Sequence, residues 1–171
     1  PTTKSFPINR MIDLGQDLVE KIHQLNPEVL CDSEISKNVT TITIANTNGG
    51  LATYTTSIFA ISISGTLIDG TDMFFLGDYV LSCKPIENTD ELVSSISTQL
   101  ENGRVIANPV NGQVDAIFTP RGVASAIIPP LMSGFNGKSV LQGSSPLADK
   151  LDKPVFDKGL SIWDHPDLDM I

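Results

Sequence analysis

The side chains that could support metal or acid–base chemistry are few and lie far apart in the sequence. Only two histidines occur in the 171 residues, His23 and His165. His23 lies in an amphipathic stretch, and we expect it to face solvent. His165 has the carboxylates of Asp164, Asp167 and Asp169 nearby, and converging oxygens of this kind can bind a hard cation. The spacing matches no calcium-binding loop, so an acidic turn is the preferred interpretation.

The candidate nucleophiles are equally isolated. Ser144 and Ser145 lie in "GSSPL", which is not the GxSxG pattern of a nucleophile elbow. They are expected to cap a helix over "PLADKL", with Pro146 at its first position. Cys31 and Cys83 lack the CxxC spacing of a redox or zinc motif, so two buried, reduced thiols are the preferred interpretation and a disulfide is the alternative.

The stretch "RGVASAIIPPLMSGFNGKSV", residues 121–140, predicts a buried helix in a place where an enzyme often mounts ligands or a nucleophile. It contains no His, Cys, Asp or Glu. Pro129 and Pro130 remove two backbone donors and are expected to kink or end the helix. The residues therefore predict no catalytic, cofactor-binding or metal-binding side chain in this chain.

Composition limits the class of protein. The net charge is −9 and the pI is about 4.5, and the basic residues form no patch, which argues against direct binding of nucleic acid. The sequence contains no run of eighteen apolar residues, so no membrane-spanning helix is predicted. The opening "PTTKSFPINR" has no initiator Met and no secretory signal, so we expect a cytoplasmic protein and a fragment of a longer chain.

The elements of the first region follow from periodicity. "FPINRMIDLGQDLVEKIHQLNP" predicts a helix, with Asp13, Asp17 and Glu20 in water. Its predicted apolar stripe comprises Ile8, Met11, Ile12, Val19, Ile22 and Leu25. Alternation on both sides of "NTNGG" predicts antiparallel strands over Val39–Ala45 and Leu51–Leu67.

A third strand is expected in "DGTDMFFLGDYVLSCKP". "NTDELVSSISTQLENG" then predicts a second helix, with Thr89 as its N-cap and Gly103 just past its end. The long strand Leu51–Leu67 could offer an edge to an extended peptide, but an internal strand packed on the first helix is the favoured interpretation.

The later region differs from the first in its residue composition. A short strand is predicted at Val114–Phe118 in "RVIANPVNGQVDAIFTP", followed by the helix and by loops rich in Pro, Gly, Asp and Ser. The predicted domains are residues 1–103 and residues 104–171. The fold class is α+β, an antiparallel or mixed sheet flanked by helices and followed by an incomplete second α/β unit. "SGFNGKSVLQGSSP" is expected to be mobile in isolation.

The order of these segments resembles the central region of the TldD/PmbA family, called modulators of DNA gyrase and regarded as metal-dependent peptidases. The motifs that match are Pro120, then Ser133, Gly134, Lys138, Ser139 and Val140, then Gly143, Ser145 and Leu147, then Lys150 and Leu151, and finally Trp163 to Leu168. The first helix and the "ANTNGGLATY" hairpin are also similar. The positions Gly134, Gly137 and Ser145 are expected to set backbone geometry.

The resemblance carries an implication about zinc. The family's protease-type subunit has HExxxH in the helix that corresponds to residues 121–140, with two His for the metal and a Glu to act on its bound water. This chain lacks that motif, so it resembles the PmbA (TldE) type of subunit. The resemblance implies that zinc belongs to an HExxxH-containing partner, with a hetero-dimer or homo-dimer acting on unfolded peptides in cytoplasmic proteolysis.

Two other interpretations remain open at this stage. The protein could be a self-sufficient metallopeptidase whose ligands lie outside these residues. It could also be an unrelated α+β binding or scaffold module.

Overall fold

A computed structural model describes residues 2–163 of the chain. The acidic turn predicted around His165, with Asp164, Asp167 and Asp169, lies outside these residues. Within them the chain divides into two compact units, residues 2–107 and residues 108–163. Each unit is considered by itself.

The first unit contains a three-stranded antiparallel sheet in the order β1-β2-β3. The strands are β1 (Leu30–Ala45), β2 (Leu51–Asp69) and β3 (Asp72–Ser82). The turn at residues 46–50 joins β1 to β2, and Gly49 adopts a φ of +83° there, which glycine reaches without strain. The α+β class and the antiparallel hairpin predicted around "NTNGG" are thus confirmed.

Strand β1 is longer than the sequence pattern predicted, since it begins at Leu30 rather than at Val39. Its first half pairs with β2 from Leu30 opposite Thr66 onward. In this half, small or charged side chains such as Ser33 and Lys37 point to the side that faces the helices. The alternation of apolar and polar residues that marks a half-buried strand is therefore hidden.

Three helices accompany the sheet: α1 (Thr2–Ser5), α2 (Ile8–Leu25) and α3 (Asp90–Gly103). Helices α2 and α3 pack against one face, and the core between them and the sheet is built from Leu18, Ile22, Val29, Phe59, Ile61, Ile63, Leu76, Leu92, Ile96 and Leu100. Fully burying one such side chain contributes about 1.5–3 kcal/mol, so this layer is the main source of stability in the first unit.

The apolar stripe predicted for α2 was only partly right. The face that meets the sheet is formed by Leu14, Leu18 and Ile22, at i, i+4 and i+8, whereas Ile8 is 65% exposed and Ile12 is also exposed. The close approach of Gly15 to Ser33 explains the rotation, because the Ser33 hydroxyl donates to the Gly15 carbonyl oxygen over 3.0 Å.

The two ends of α3 differ from the predicted caps in their contacts. Thr89 is the N-cap residue, but its hydroxyl is buried and has no hydrogen-bond partner among the described residues. The Asn88 side chain instead accepts from the Asp90 N–H over 2.7 Å. Gly103 is the last helical residue rather than the next one, and a Cβ there would lie 2.7 Å from the Phe74 ring. A larger residue at this end would therefore have to displace the Phe74 ring.

The second unit contains helices and turns. One helical segment runs through α4 (Pro120–Gly122), a π-helical turn (Val123–Ile127) and α5 (Ile128–Phe135), and α6 (Gly137–Leu141) follows. No strand occurs between residues 108 and 163, so the strand predicted at Val114–Phe118 was wrong, and with it the α/β character of this unit. A short apolar run forms a strand only where a neighbouring strand supplies backbone partners, and Ile117 is fully exposed here.

The helix predicted over "PLADKL" is also absent, because residues 146–149 form turns. Across residues 2–163, no helix combines the length and apolar character that a bilayer crossing requires.

Candidate functional site

The segment that the resemblance singles out begins with a well-formed helix start. Thr119 is the N-cap of α4, and its hydroxyl oxygen accepts from the Gly122 N–H over 3.1 Å. Pro120 occupies the first turn, where its missing N–H costs nothing. The sequence "TPRG" therefore fixes where the helix begins, directly after the irregular segment that ends at Phe118.

The helix then widens instead of breaking. The Ile128 N–H donates to the Val123 carbonyl oxygen, five residues earlier, which defines a π-helical turn. Pro129 and Pro130 follow at the start of α5, where they cannot donate to the preceding turn. Of the two expected outcomes, a kink or an end, the end at these prolines was wrong, because the helical segment continues through the π-helical turn to Phe135.

Past α5, the chain folds back through one buried polar contact. The Ser145 hydroxyl donates to the Gly134 carbonyl oxygen over 2.6 Å and accepts from the Leu147 N–H over 3.0 Å. A Cβ at Gly134 would lie 3.2 Å from the Leu147 side chain, so the glycine permits this close approach. Ser145 thus holds a turn in place, rather than capping a helix, and is not presented to solvent as a nucleophile would be.

Asn136, which lies between Gly134 and Ser145 in the sequence, is the N-cap of α6. Its side-chain oxygen accepts from the Lys138 N–H over 2.9 Å and from the Ser139 N–H over 3.4 Å. The Ser139 carbonyl oxygen in turn accepts from the N–H groups of Ser144 and Ser145. These polar groups support the local backbone, since each forms a hydrogen bond with a neighbouring backbone group.

A small groove of about 340 Å³ lies beside this turn, lined by Gly134, Phe135, Val140, Leu147, Ala148, Lys150, Leu151, Asp152, Lys153 and Val155. Its walls are largely aliphatic, and the charged residues are two lysines and one aspartate. Aliphatic walls can hold an apolar side chain. The lining offers no imidazole or thiol and no pair of carboxylates, and so no acid–base or nucleophilic pair.

The first unit brings together two candidates that the sequence placed eight residues apart. His23 is exposed, and its Nε2 atom lies 3.6 Å from Cys31 Sγ and 3.2 Å from the Val29 carbonyl oxygen. Burial, reinforced by the charge of Asp32, raises the pKa of the Cys31 thiol. A raised thiol pKa reduces the thiolate fraction at neutral pH, so the pair lacks the activated sulfur of a cysteine nucleophile.

Cys31 and Cys83 are both free thiols, as predicted, but each is half-buried rather than buried. Within residues 2–163, no three His, Cys, Asp or Glu side chains come close enough to hold a metal ion. These residues therefore do not fit a zinc site, which needs three or four such ligands.

Comparison with known proteins gives one match. Residues 111–170 match the family model described as the PmbA/TldA metallopeptidase C-terminal domain, which is roughly a third of the chain. No curated protein matches the chain, and no solved structure matches it. The match contains the whole helical segment and the Gly134–Ser145 turn, and it supports a relationship to the PmbA/TldD peptidase family.

Proposed function

We propose, from the support that this match gives to a place in the PmbA/TldD peptidase family, that the chain belongs to a PmbA (TldE)-type subunit that is not catalytic by itself. It pairs with an HExxxH-containing TldD-type subunit, which holds the zinc, and the pair acts on unfolded peptides in the cytoplasm. The match to residues 111–170 supports the family. The subunit type and the pairing are the proposed steps.

One observation carries the proposal: the helical segment over residues 120–135 has neither the side chains nor the regular geometry of a zinc helix. HExxxH places two histidines on neighbouring turns of an α-helix, where both reach one metal ion. Here the corresponding segment has no His or Glu, and the π-helical turn at Val123–Ile127 changes the angular spacing of successive side chains. Two side chains at the HExxxH spacing would therefore not lie on the same face of this segment, as they do on a regular α-helix.

The test uses the protein that carries this sequence, purified alone and after reconstitution with an HExxxH-containing member of the family. Zinc content is measured by mass spectrometry, and cleavage is measured on an unstructured peptide. We expect neither zinc nor cleavage from the protein alone, and both from the pair. Zinc and cleavage in the protein alone would contradict the proposal and favour a self-sufficient metallopeptidase.

Matched substitutions show which subunit supplies the metal ligands. Replacing both histidines of this chain, His23→Ala and His165→Ala, is expected to leave the zinc content of the pair unchanged. Replacing one HExxxH histidine in the partner is expected to remove the zinc. Loss of zinc through the first pair of substitutions would contradict the assignment. A protein that binds neither zinc nor an HExxxH-containing partner would favour the unrelated binding module.

A further inference from the structure

The sheet of the first unit has two edges, and side chains occupy the edge formed by β3. The side-chain amide of Gln99, on α3, accepts from the Gly77 N–H over 3.1 Å and donates to the Gly77 carbonyl oxygen over 3.1 Å. Two residues further along β3, the Tyr79 N–H donates to the Asp78 carboxylate over 2.7 Å. These backbone groups are therefore not free to pair with an added strand, which is how natural sheets commonly protect an edge.

The other edge belongs to β1, and the hairpin turn shows which backbone groups point toward it. The Asn46 N–H donates to the Gly50 carbonyl oxygen over 3.0 Å, and pairing continues from this turn without a bulge to Leu30 opposite Thr66. Successive residues of a strand direct their N–H and C=O groups to opposite sides. Even-numbered residues of β1 therefore bond to β2, and odd-numbered residues direct both groups to the free edge. The outward position of Gly77 on β3 requires the same alternation.

No side chain protects the β1 edge in the way that Gln99 protects β3. Within residues 2–163, no side chain is hydrogen-bonded to the outward N–H and C=O groups of Ser33 and Ile35. Strand β2, the other candidate for an edge in the sequence, is internal, as its favoured interpretation predicted. The β1 edge is thus a row of unused donors and acceptors, and another extended backbone can satisfy them together.

Helix α2 extends past the β1 edge. One side of α2 faces α3 through the contact of Lys21 with Asp90, and a second side packs on the sheet. The third side forms a groove of about 550 Å³ with β1, lined by Met11, Ile12, Gly15, Gln16, Val19, Glu20, Ser33 and Ile35. A strand added to β1 would place every second side chain in this groove, since alternate side chains of a strand point to the same face.

The lining of the groove favours particular side chains. Its walls are mostly aliphatic, which suits apolar side chains. Glu20 is the charged residue of the lining, and it has no ion-pair partner among the described residues, whereas Asp17 is paired with Lys21. No lysine or arginine lines the groove to neutralise Glu20. A basic side chain next to the apolar ones would therefore complement the charge of the groove.

We propose that the β1 edge and this groove bind an extended peptide segment of another protein as a fourth strand of the sheet. The segment has apolar side chains at alternate positions and a lysine or arginine within reach of Glu20. Its backbone pairs with the odd-numbered residues of β1, and its apolar side chains enter the groove beside α2. The site lies outside residues 111–170 and concerns binding rather than cleavage, so its failure is distinct from failure of the proposed function.

Binding is measured by fluorescence anisotropy on residues 1–171, with a labelled peptide in which valine alternates with threonine and lysine. We expect saturable binding. N-methylation of the peptide amides that face β1 is expected to weaken it roughly tenfold or more, because several backbone hydrogen bonds are lost together. A peptide of the same composition with its valines grouped is the control for sequence. Absence of saturable binding up to about 1 mM, or equal binding of the N-methylated peptide, would overturn the proposal.

Two substitutions test the groove. Ile12→Glu is expected to raise the dissociation constant roughly tenfold by placing a charge on the apolar wall, and Glu20→Lys roughly threefold or more by repelling the peptide's lysine. Ile68→Glu is the control for the first, since Ile68 is 50% exposed and Ile12 is 52% exposed. Glu101→Lys, exposed on α3, is the control for the second. Controls that weaken binding as much as the groove variants would contradict the site.

Hydrogen exchange shows where the peptide lies. The amides of Ser33 and Ile35 point to the free edge, so they are expected to exchange at least roughly tenfold more slowly when the peptide is saturating. The Gly77 amide, which Gln99 already holds, is expected to exchange at the same rate with and without peptide. Slower exchange at Gly77, with no change at Ser33 and Ile35, would overturn the assignment to the β1 edge.

Discussion

Residues 2–107 and residues 108–163 use apolar side chains in different ways. The first unit buries ten of them in one layer between two helices and a sheet. In the second unit, the buried residues among those described are Gly134 and Ser145, and they are joined by one hydrogen bond. Local polar contacts therefore stabilise the region that matches the family model, whereas the apolar core lies in the region outside the match.

The largest effect should come from opening the core of the first unit. Phe59 is fully buried and meets the Phe6 ring edge-on at 5.1 Å between centroids. Phe59→Ala should lower the free energy of unfolding by about 3–5 kcal/mol, because it leaves a cavity. The measurement is urea unfolding followed by circular dichroism.

The matched change in the second unit is Ile117→Ala, at a fully exposed site. It should alter the free energy of unfolding by less than about 0.5 kcal/mol. A large loss of stability from Ile117→Ala would show that the second unit has an apolar core after all.

A smaller effect is expected from adding one methyl group. Gly65 lies in β2 on the core side, where a Cβ would come within 2.8 Å of Leu76 and 2.9 Å of Val29. Gly65→Ala should therefore destabilise the first unit by about 1–3 kcal/mol through overpacking. Gly137→Ala, where a Cβ would meet open space, should be close to neutral in the same unfolding measurement. Equal effects of Gly65→Ala and Gly137→Ala on the free energy of unfolding would contradict the tighter packing expected around Gly65.

The polar turn of the second unit should respond to loss of one hydroxyl. Ser145→Ala removes the donor to Gly134 and the acceptor for the Leu147 N–H. We expect roughly tenfold faster hydrogen exchange at the Leu147 amide, because a hydrogen bond of this kind contributes about 0.5–1.5 kcal/mol. Ser144→Ala is the control, since its hydroxyl bonds on the exposed surface. Wild-type protection throughout residues 133–146 would contradict the expected mobility of this segment.

The smallest effect on the free energy of unfolding is expected from removing the charge of Lys21. Lys21 Nζ lies 2.9 Å from Asp17 Oδ2 and 3.4 Å from Asp90 Oδ1, so it joins α2 to α3. Its hydrogen bond to Asp17 raises the pKa of Lys21 above the ordinary 10.5. Lys21→Met should cost at most about 1 kcal/mol in unfolding free energy. Lys150→Met, next to Asp149 in a local pair, should cost less.

The pH dependence of the Lys21 contribution has a defined sign. A folded pKa above the unfolded value means that the contribution is fully present below about pH 10.5 and is lost as pH rises through the folded pKa. The difference between wild type and Lys21→Met should therefore shrink above that pH, and also in high salt. A difference that grows with pH would contradict the ion-pair explanation.

Periodicity was enough to predict the elements of the first unit, because its strands and helices bury one side each. The two helices, the hairpin turn and β3 were all predicted from the sequence. The start of β1 was missed, since Ser33 and Lys37 occupy positions where an apolar residue would have revealed the strand. The stripe of α2 was rotated because Gly15 and Ser33, rather than the larger residues, determine how closely the helix approaches.

In the second unit, local patterns were poor guides. The segment Val114–Phe118 is apolar like a short strand but has no neighbour to pair with among the described residues. The continuation of the helix through Pro129 and Pro130 depends on a π-helical turn, for which no simple sequence signal exists. The absence of metal ligands on this helix was readable from residue types alone, whereas the contact between Ser145 and Gly134 required the folded chain.

The order β1-β2-β3 also bears on how the chain folds. Each strand pairs with the one that follows it, so the sheet can grow from the turns at residues 46–50 and 70–71 by adding neighbouring residue pairs. Hairpins of this kind close in microseconds, and contacts between sequence neighbours favour fast folding. Helix α3 comes last in this unit, and its Leu92 and Ile96 complete the core. We therefore expect the sheet to form early and the docking of α3 to limit the rate of folding.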